Sequence, residues 1–169
     1  VLASEDIVER VIAFAEGAVE DPKERAVLTY LRLLQTGEGL RETAVREQRL
    51  GVSGASKTLE NAVRLENAAK EWRVKAEAAD RAHPALLEID FLKALKDKDY
   101  SAAEALAKIA DESGRDRTQS SIFRARALLE QDRLQEAAQV LERAIQSGVD
   151  ASTIYRTLGS ALERPGNIQ

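Results

Sequence analysis

Apolar residues recur in steps of three and four along most of the chain, which is the spacing of amphipathic helices. The first such stretch follows the capping segment Ser4-Glu5-Asp6 and predicts a helix of about residues 4–19. Pro22 suits the first turn of the next helix. The sequence therefore predicts a helical N-terminus with a turn just before Pro22.

A glycine-rich segment, residues 37–39, predicts a break after the second helix. A third helix, Leu40 to Leu50, then follows, and the second and third helices are expected to form a hairpin. The segment Gly51–Ser56 predicts a linker that ends in a serine helix cap.

After this linker a long helical stretch is expected to reach about Arg81. Its small and apolar residues are spaced as in a helix seam, and most of them are alanines, which favours one helix packed on its neighbours over a dimeric coiled coil. Pro84 predicts the start of the next helix. The seam consists of Ala62, Leu65, Ala69, Trp72, Ala76, Ala79 and His83.

The C-terminal half repeats itself with an offset of 34 residues. The pattern Ala103, Ala107 and Ala110 returns as Ala137, Leu141 and Ala144. The same offset aligns Phe91 with Ala125 and Gly159, Ala94 with Leu128 and Leu162, and Lys98 with Asp132 and Gly166. Repeats of this length indicate stacked supersecondary units.

This half resembles the tetratricopeptide repeat, a helix-turn-helix unit of 34 residues. Tyr155-x2-Leu158-Gly159-x2-Leu162 is similar to the pattern of its first helix, and Ala137-x3-Leu141-x2-Ala144 to that of its second. Asp90 and Arg124 depart from the family, which usually has leucine there, and Leu87 and Ser121 replace its aromatic residue. The resemblance implies an all-α fold, a right-handed superhelix of antiparallel helical hairpins (an α-solenoid).

Three segments are expected on this basis. Residues 1–52 form N-terminal helices that are degenerate repeats or a cap, 53–84 form a long helical segment, and 85–169 form about two and a half repeats. The last unit has only one helix, about 151–163, which either caps the array or is followed by further repeats. A chain that starts at Val1 and has no methionine is expected to be a segment of a larger protein.

Composition excludes several partners. A net charge of −4 lacks the positive field that nucleic-acid binding requires. No run of about 18 to 20 apolar residues is present, so direct membrane insertion is not expected. The absence of cysteine fits either a reducing or an oxidising compartment, and the location stays open between cytoplasm and periplasm.

Residue chemistry gives no support for an enzyme. Gly51 to Thr58 is one residue away from the phosphate-loop pattern, but a charged helix precedes it where that loop needs a buried strand. His83 is the only histidine, so a two-histidine metal site is excluded, and we expect it at a helix junction. No catalytic residue, cofactor or metal is predicted.

The resemblance implies that a partner peptide or amphipathic helix binds on the concave face, which the first helix of each repeat lines. Leu92 and Ile122 would anchor it, with charged neighbours setting its orientation. Nine candidate residues share outward positions at the 34-residue offset. They are Glu88, Leu92, Lys96, Ile122, Arg126, Glu130, Arg156, Ser160 and Arg164.

The sequence thus predicts a protein-interaction scaffold. One alternative is an accessory domain of a larger enzyme or of a cell-envelope export or assembly machine. Another is a self-assembling structural protein, a homo-oligomer whose contact is the seam of residues 62–83 or the open C-terminal face.

Overall fold

The computed structural model describes the backbone of residues 6–162 and the side chains of residues 6–156. Within this range the chain forms eight helices and no strand, so the predicted all-α class is confirmed. None of these helices is long and apolar enough to cross a membrane. They are α1 (Ile7–Ala18), α2 (Pro22–Arg49), α3 (Ala55–Asp80), α4 (Pro84–Lys96), α5 (Tyr100–Ser113), α6 (Arg117–Leu129), α7 (Leu134–Gln146) and α8 (Ala151–Leu162).

The chain divides into two compact units, Val1–Arg81 and Ala82–Gln169. Unit 1 contains α1, α2 and α3, and unit 2 contains α4 to α8. In unit 1, aspartates begin the first two helices: the Asp6 carboxylate accepts from the Val8 amide and the Asp21 carboxylate from the Lys23 amide. Pro22 occupies the first turn of α2, as predicted.

The predicted break at residues 37–39 is wrong, because α2 runs without interruption from Pro22 to Arg49. Gly37 is buried against α3, and a β-carbon there would lie 3.2 Å from Glu66 Cγ and 3.4 Å from the Ala62 carbonyl oxygen. This glycine allows a close approach of two helices and does not end one. The predicted hairpin of residues 22–50 is therefore one helix, and α2 forms its hairpin with α3.

The predicted linker is the short turn of that hairpin. Gly51 and Gly54 adopt positive φ angles of 67° and 121°, which glycine reaches without steric cost. The predicted serine cap is wrong: Gly54 is the N-cap of α3, no side chain accepts a capping hydrogen bond there, and Ser56 lies inside the helix.

The long helix predicted after the linker is confirmed as α3, which ends at Asp80. Its seam faces α2, with Ala62, Leu65, Ala69 and Ala76 all buried. The three alanines among these positions let the two long helices approach closely. Four of the seven predicted seam residues therefore lie in the interior of unit 1, whereas Trp72 and Ala79 are only partly buried and His83 lies in unit 2.

Polar side chains cap α4, α5 and α6 of unit 2, whereas no side chain caps the start of α7. Asp99 and Asp116 accept hydrogen bonds from amides three residues ahead, and the Nδ1 atom of His83 accepts from the Ala85 amide at 3.2 Å. Pro84 follows at the first helical position, which confirms the predicted helix start and the placement of His83 at a helix junction.

The 34-residue offset recurs in the backbone of unit 2. Lys98 and Asp132 both adopt positive φ angles, 56° and 58°, at the turns after α4 and α6. Gly114 and Gly148 do the same after α5 and α7, with φ of 64° and 93°. The turns that follow α4 and α6 are therefore equivalent in backbone conformation, and so are the turns that follow α5 and α7.

The core of unit 2 lies between α4, α5 and α6, where Phe91 and Phe123 are surrounded by buried alanines of these three helices. Ala103, Ala107 and Ala110 are buried, as their place in the repeat predicts. A second cluster joins Ala144, Val149 and Ile154 toward α8. Helix α6 contacts α5, α7 and α8, so it is the central helix of this unit.

Candidate partner-binding groove

An open groove of about 430 Å³ lies between α5, α6 and α7 of unit 2. Two apolar side chains that are partly exposed, Leu128 and Val140, line it together with charged residues. Its size is in the range of cavities that hold small ligands or a few side chains of a partner. The lining residues are Glu104, Lys108, Asp111, Arg124, Leu128, Arg133, Glu136, Gln139, Val140 and Arg143.

Arg133 is held in place at one end of the groove. Its guanidinium donates to both carboxylate oxygens of Glu136, at 2.7 and 2.6 Å, and lies 3.5 Å from Glu104 Oε1. Two parallel bonds of this kind fix the plane of the guanidinium. Arg133 is therefore part of the wall of the groove, with its charge balanced by the protein itself.

The same contacts shift the ionisation of both groups. The hydrogen bonds that Arg133 donates to Glu136 raise the pKa of the Arg133 guanidinium above its usual value. The same bonds lower the pKa of the Glu136 carboxyl. Both groups therefore stay charged over a wider pH range than they would apart.

The remaining lining charges favour an anionic partner. Arg124 and Arg143 make no ion pair with any residue that the structure describes. Lys108 Nζ lies 3.7 Å from Glu112 Oε1, and an exposed ion pair of this kind contributes little to stability. Asp111 accepts a hydrogen bond from the Ser120 hydroxyl at 3.3 Å. The groove thus offers two guanidinium groups beside an apolar surface.

None of the nine residues predicted from the sequence lines this groove. Glu88, Leu92, Lys96, Glu130 and Arg156 are exposed, as expected for an outward surface. The side chain of Ser160 and all of Arg164 lie outside the described residues.

Ile122 and Arg126 are less accessible than the repeat pattern predicts. Ile122 is buried, with 8% of its surface exposed, so its predicted outward position is wrong. Arg126 is partly buried, with its guanidinium carbon 5.9 Å from the ring centroid of Phe91. This cation–π geometry ties Arg126 to the core.

Sequence reasoning missed the groove residues, although one of them carried a signal. Arg124 departs from the family pattern, which has leucine there, and the structure places it exposed in the groove. A charged residue at a repeat position where the family has an apolar one indicates that this part of the helix faces solvent or a ligand.

The segment similar to a phosphate loop does not have the geometry of one. It follows helix α2 where a strand would be needed, and the Thr58 hydroxyl donates to Glu47 Oε2 at 2.8 Å. In the described part of the chain no three metal-ligating side chains lie together.

Comparisons with protein families, with curated proteins and with solved structures found no match. The assignment of function therefore depends on the geometry of the chain itself.

Proposed function

We propose that unit 2 is a protein-interaction module and that the groove between α5, α6 and α7 receives a segment of a partner protein. The observation that carries the proposal is the groove itself, an open cleft in which Leu128 and Val140 lie beside Arg124 and Arg143. Interfaces of this kind combine an apolar anchor with charges that set orientation.

The proposed partner is a short peptide or amphipathic helix with an apolar residue next to acidic ones. Its apolar side chain would contact Leu128 and Val140, and its carboxylates would pair with the two arginines. Arginine suits this role because its planar guanidinium binds a carboxylate through two bonds.

The proposed architecture is a stack of antiparallel hairpins, the right-handed superhelix of tetratricopeptide repeats. Supporting it are the 34-residue offset in sequence and the recurrence of that offset at Lys98 and Asp132. In such a stack each hairpin packs on the next and leaves grooves between neighbouring helices.

A peptide-selection experiment on the full chain tests the proposed function. Peptides selected from a random library are measured for affinity by calorimetry against the wild type, Arg124→Glu and Arg143→Glu. Each groove variant is expected to weaken binding by about tenfold or more, because it replaces a pairing charge with a repelling one.

Arg156→Glu and Leu92→Ala are the matched controls, since both residues are exposed and belong to the surface predicted from the sequence. Unchanged affinity in these controls supports the groove. The reverse pattern assigns binding to the predicted surface, and failure to select any peptide that binds contradicts the proposed function.

A further inference from the structure

The α2–α3 hairpin of unit 1 is covered by α1 along only part of its length. Ile7, Val11 and Phe14 of α1 line a shared surface with Arg32 and Thr36 of α2. Beyond Thr36, α2 continues for thirteen residues to Arg49. We call residues 38–66 the distal hairpin.

The distal hairpin has little interior of its own. Of its 29 residues only Ala44, Ala62 and Leu65 are buried, and the last two lie at its base. Helices in proteins gain most of their stability from packing an apolar face, so two helices with so few buried side chains are under-packed. This part of unit 1 would be stabilised by a further covering surface.

An apolar stripe runs along one face of the distal hairpin. Val45, Leu59 and Val63 are each about two-fifths exposed. Val45 and Leu59 line the same shallow groove between α2 and α3, together with Ala44 and Ala55. Leu59 and Val63 are four residues apart and so share a helix face. We call Val45, Leu59 and Val63 the outer stripe.

The outer stripe lies on the side of the hairpin away from α1. Val45 follows Thr36 by nine residues, which places the two about half a turn apart around α2. Thr36 lies on the α1 side. The small residues Ala44 and Ala55 beside the stripe allow another helix to approach closely.

Charge is distributed unevenly along the distal hairpin. Its tip, residues 44–59, carries three basic residues and one acidic residue, a net charge of +2. Its base, residues 38–43 and 60–66, carries four acidic and two basic residues, a net charge of −2. The charges of the tip are Arg46, Glu47, Arg49 and Lys57, and those of the base are Glu38, Arg41, Glu42, Glu60, Arg64 and Glu66.

We propose that the outer stripe binds a second copy of this chain, with the two distal hairpins packed antiparallel as a four-helix bundle. Antiparallel pairing places the basic tip of each copy on the acidic base of the other, because Arg49 of the tip and Glu38 of the base lie about 16 Å apart along α2. Parallel pairing would place like charges together. The contact is isologous, because the same stripe serves both copies.

Other occupants fit the charges less well. An anionic lipid surface would attract the tip but repel the base, and the distal hairpin as a whole is neutral. The seam of residues 62–83, the alternative contact considered from the sequence, is unsuitable because Ala62, Leu65, Ala69 and Ala76 are buried within unit 1.

Sedimentation velocity on the full chain tests the proposal over about a hundredfold range of concentration. The wild type is expected to pass from monomer to dimer. Val63→Glu is expected to raise the dimer dissociation constant at least about tenfold, because it places a charge in an apolar contact. The control is Leu134→Glu, an exposed leucine of unit 2, which is expected to leave the dimer unchanged.

Charge-reversal variants of the tip and the base distinguish this specific contact from nonspecific apolar association. Arg49→Glu with Lys57→Glu reverses the tip and is expected to weaken the dimer. Adding Glu38→Lys and Glu42→Lys restores complementarity and is expected to restore dimerisation. Circular dichroism checks that each variant remains helical. If the variant with all four substitutions is folded but does not dimerise, the antiparallel arrangement is overturned.

Cross-linking reads the orientation directly, and the chain has no cysteine of its own to interfere. Ser53→Cys at the tip is expected to link to Glu38→Cys in a mixture of the two variants, but not to itself. Links from tip to tip overturn the proposal. So does a chain that stays monomeric at all concentrations, whether or not it floats with anionic phospholipid vesicles.

Discussion

The aromatic rings of Phe91 and Phe123 stack face to face, with ring centroids 4.0 Å apart and an angle of 2° between their planes. Phe91 belongs to α4 and Phe123 to α6. The pair therefore joins α4 to α6 within the core of unit 2.

Truncation of this stack should destabilise unit 2. Phe123→Ala is expected to lower the free energy of unfolding by about 3 to 5 kcal/mol, since it removes a buried ring and leaves a cavity. Phe123→Leu keeps most of the volume and should cost about 1 kcal/mol. Urea denaturation followed by circular dichroism measures both. Leu134→Ala, at an exposed position, is the control, and an equal loss there would contradict the stated role of the stack.

The two glycines inside α2 should respond in opposite ways to substitution. A β-carbon added at Gly39 would meet no atom within 4 Å, so Gly39→Ala should raise the free energy of unfolding by about 0.5 to 1 kcal/mol. Gly37→Val should lower it, because the added side chain meets Glu66 and the Ala62 carbonyl. Thermal unfolding compares the variants, and stabilisation by both substitutions would refute the close helix approach at Gly37.

These glycines also show which feature of the fold could not be predicted from the sequence, namely the continuity of α2. Apolar periodicity predicted α1, α3 and, divided at residues 37–39, α2, whereas the helices of unit 2 were expected from the 34-residue repeat. Glycine weakens a helix locally, but the packing of α2 on α3 outweighs this propensity. Local sequence cannot reveal that packing, because the contact partner, Glu66, lies 29 residues away along the chain.

Positive φ angles at Lys98 and Asp132 predict another stabilising change. A residue with a β-carbon is strained in this conformation, while glycine adopts it freely. Lys98→Gly is expected to raise the melting temperature, with a gain of up to about 1 kcal/mol. Lys98→Ala keeps the β-carbon and is the control. No gain from glycine over alanine would argue against the left-handed turn.

The repeat alignment contained a hint of this turn. Lys98 and Asp132 align with Gly166 at the 34-residue offset. A glycine in one repeat indicates a position at which the backbone of the other repeats can require positive φ. The groove was harder to predict, because it depends on which sides of α5, α6 and α7 remain uncovered. The family resemblance pointed to another surface, where Ile122 proved to be buried.

Asp150 should make the start of α8 sensitive to acid. Hydrogen bonds from Ser152 and Thr153 lower the pKa of this carboxyl from 3.8 to about 2. A lowered pKa stabilises the folded state above the ordinary value, and this contribution is lost as the pH falls from about 4 through about 2.

Asp150→Asn provides the comparison, because asparagine can cap the helix but does not titrate in this range. The wild type is expected to lose amide protection at Thr153 between about pH 4 and 2, whereas the variant stays constant. Hydrogen exchange followed by NMR measures this. Parallel pH profiles for the two proteins would exclude the assigned cause.

The most direct test of the partner-binding groove is a methyl NMR titration of the full chain with a peptide from the library selection. Leu128 and Val140 line the groove, whereas Leu92 lies on the surface predicted from the sequence. We expect the methyl signals of Leu128 and Val140 to shift on binding and those of Leu92 to stay in place. Shifts at Leu92 with none at Leu128 and Val140 would contradict binding in the groove.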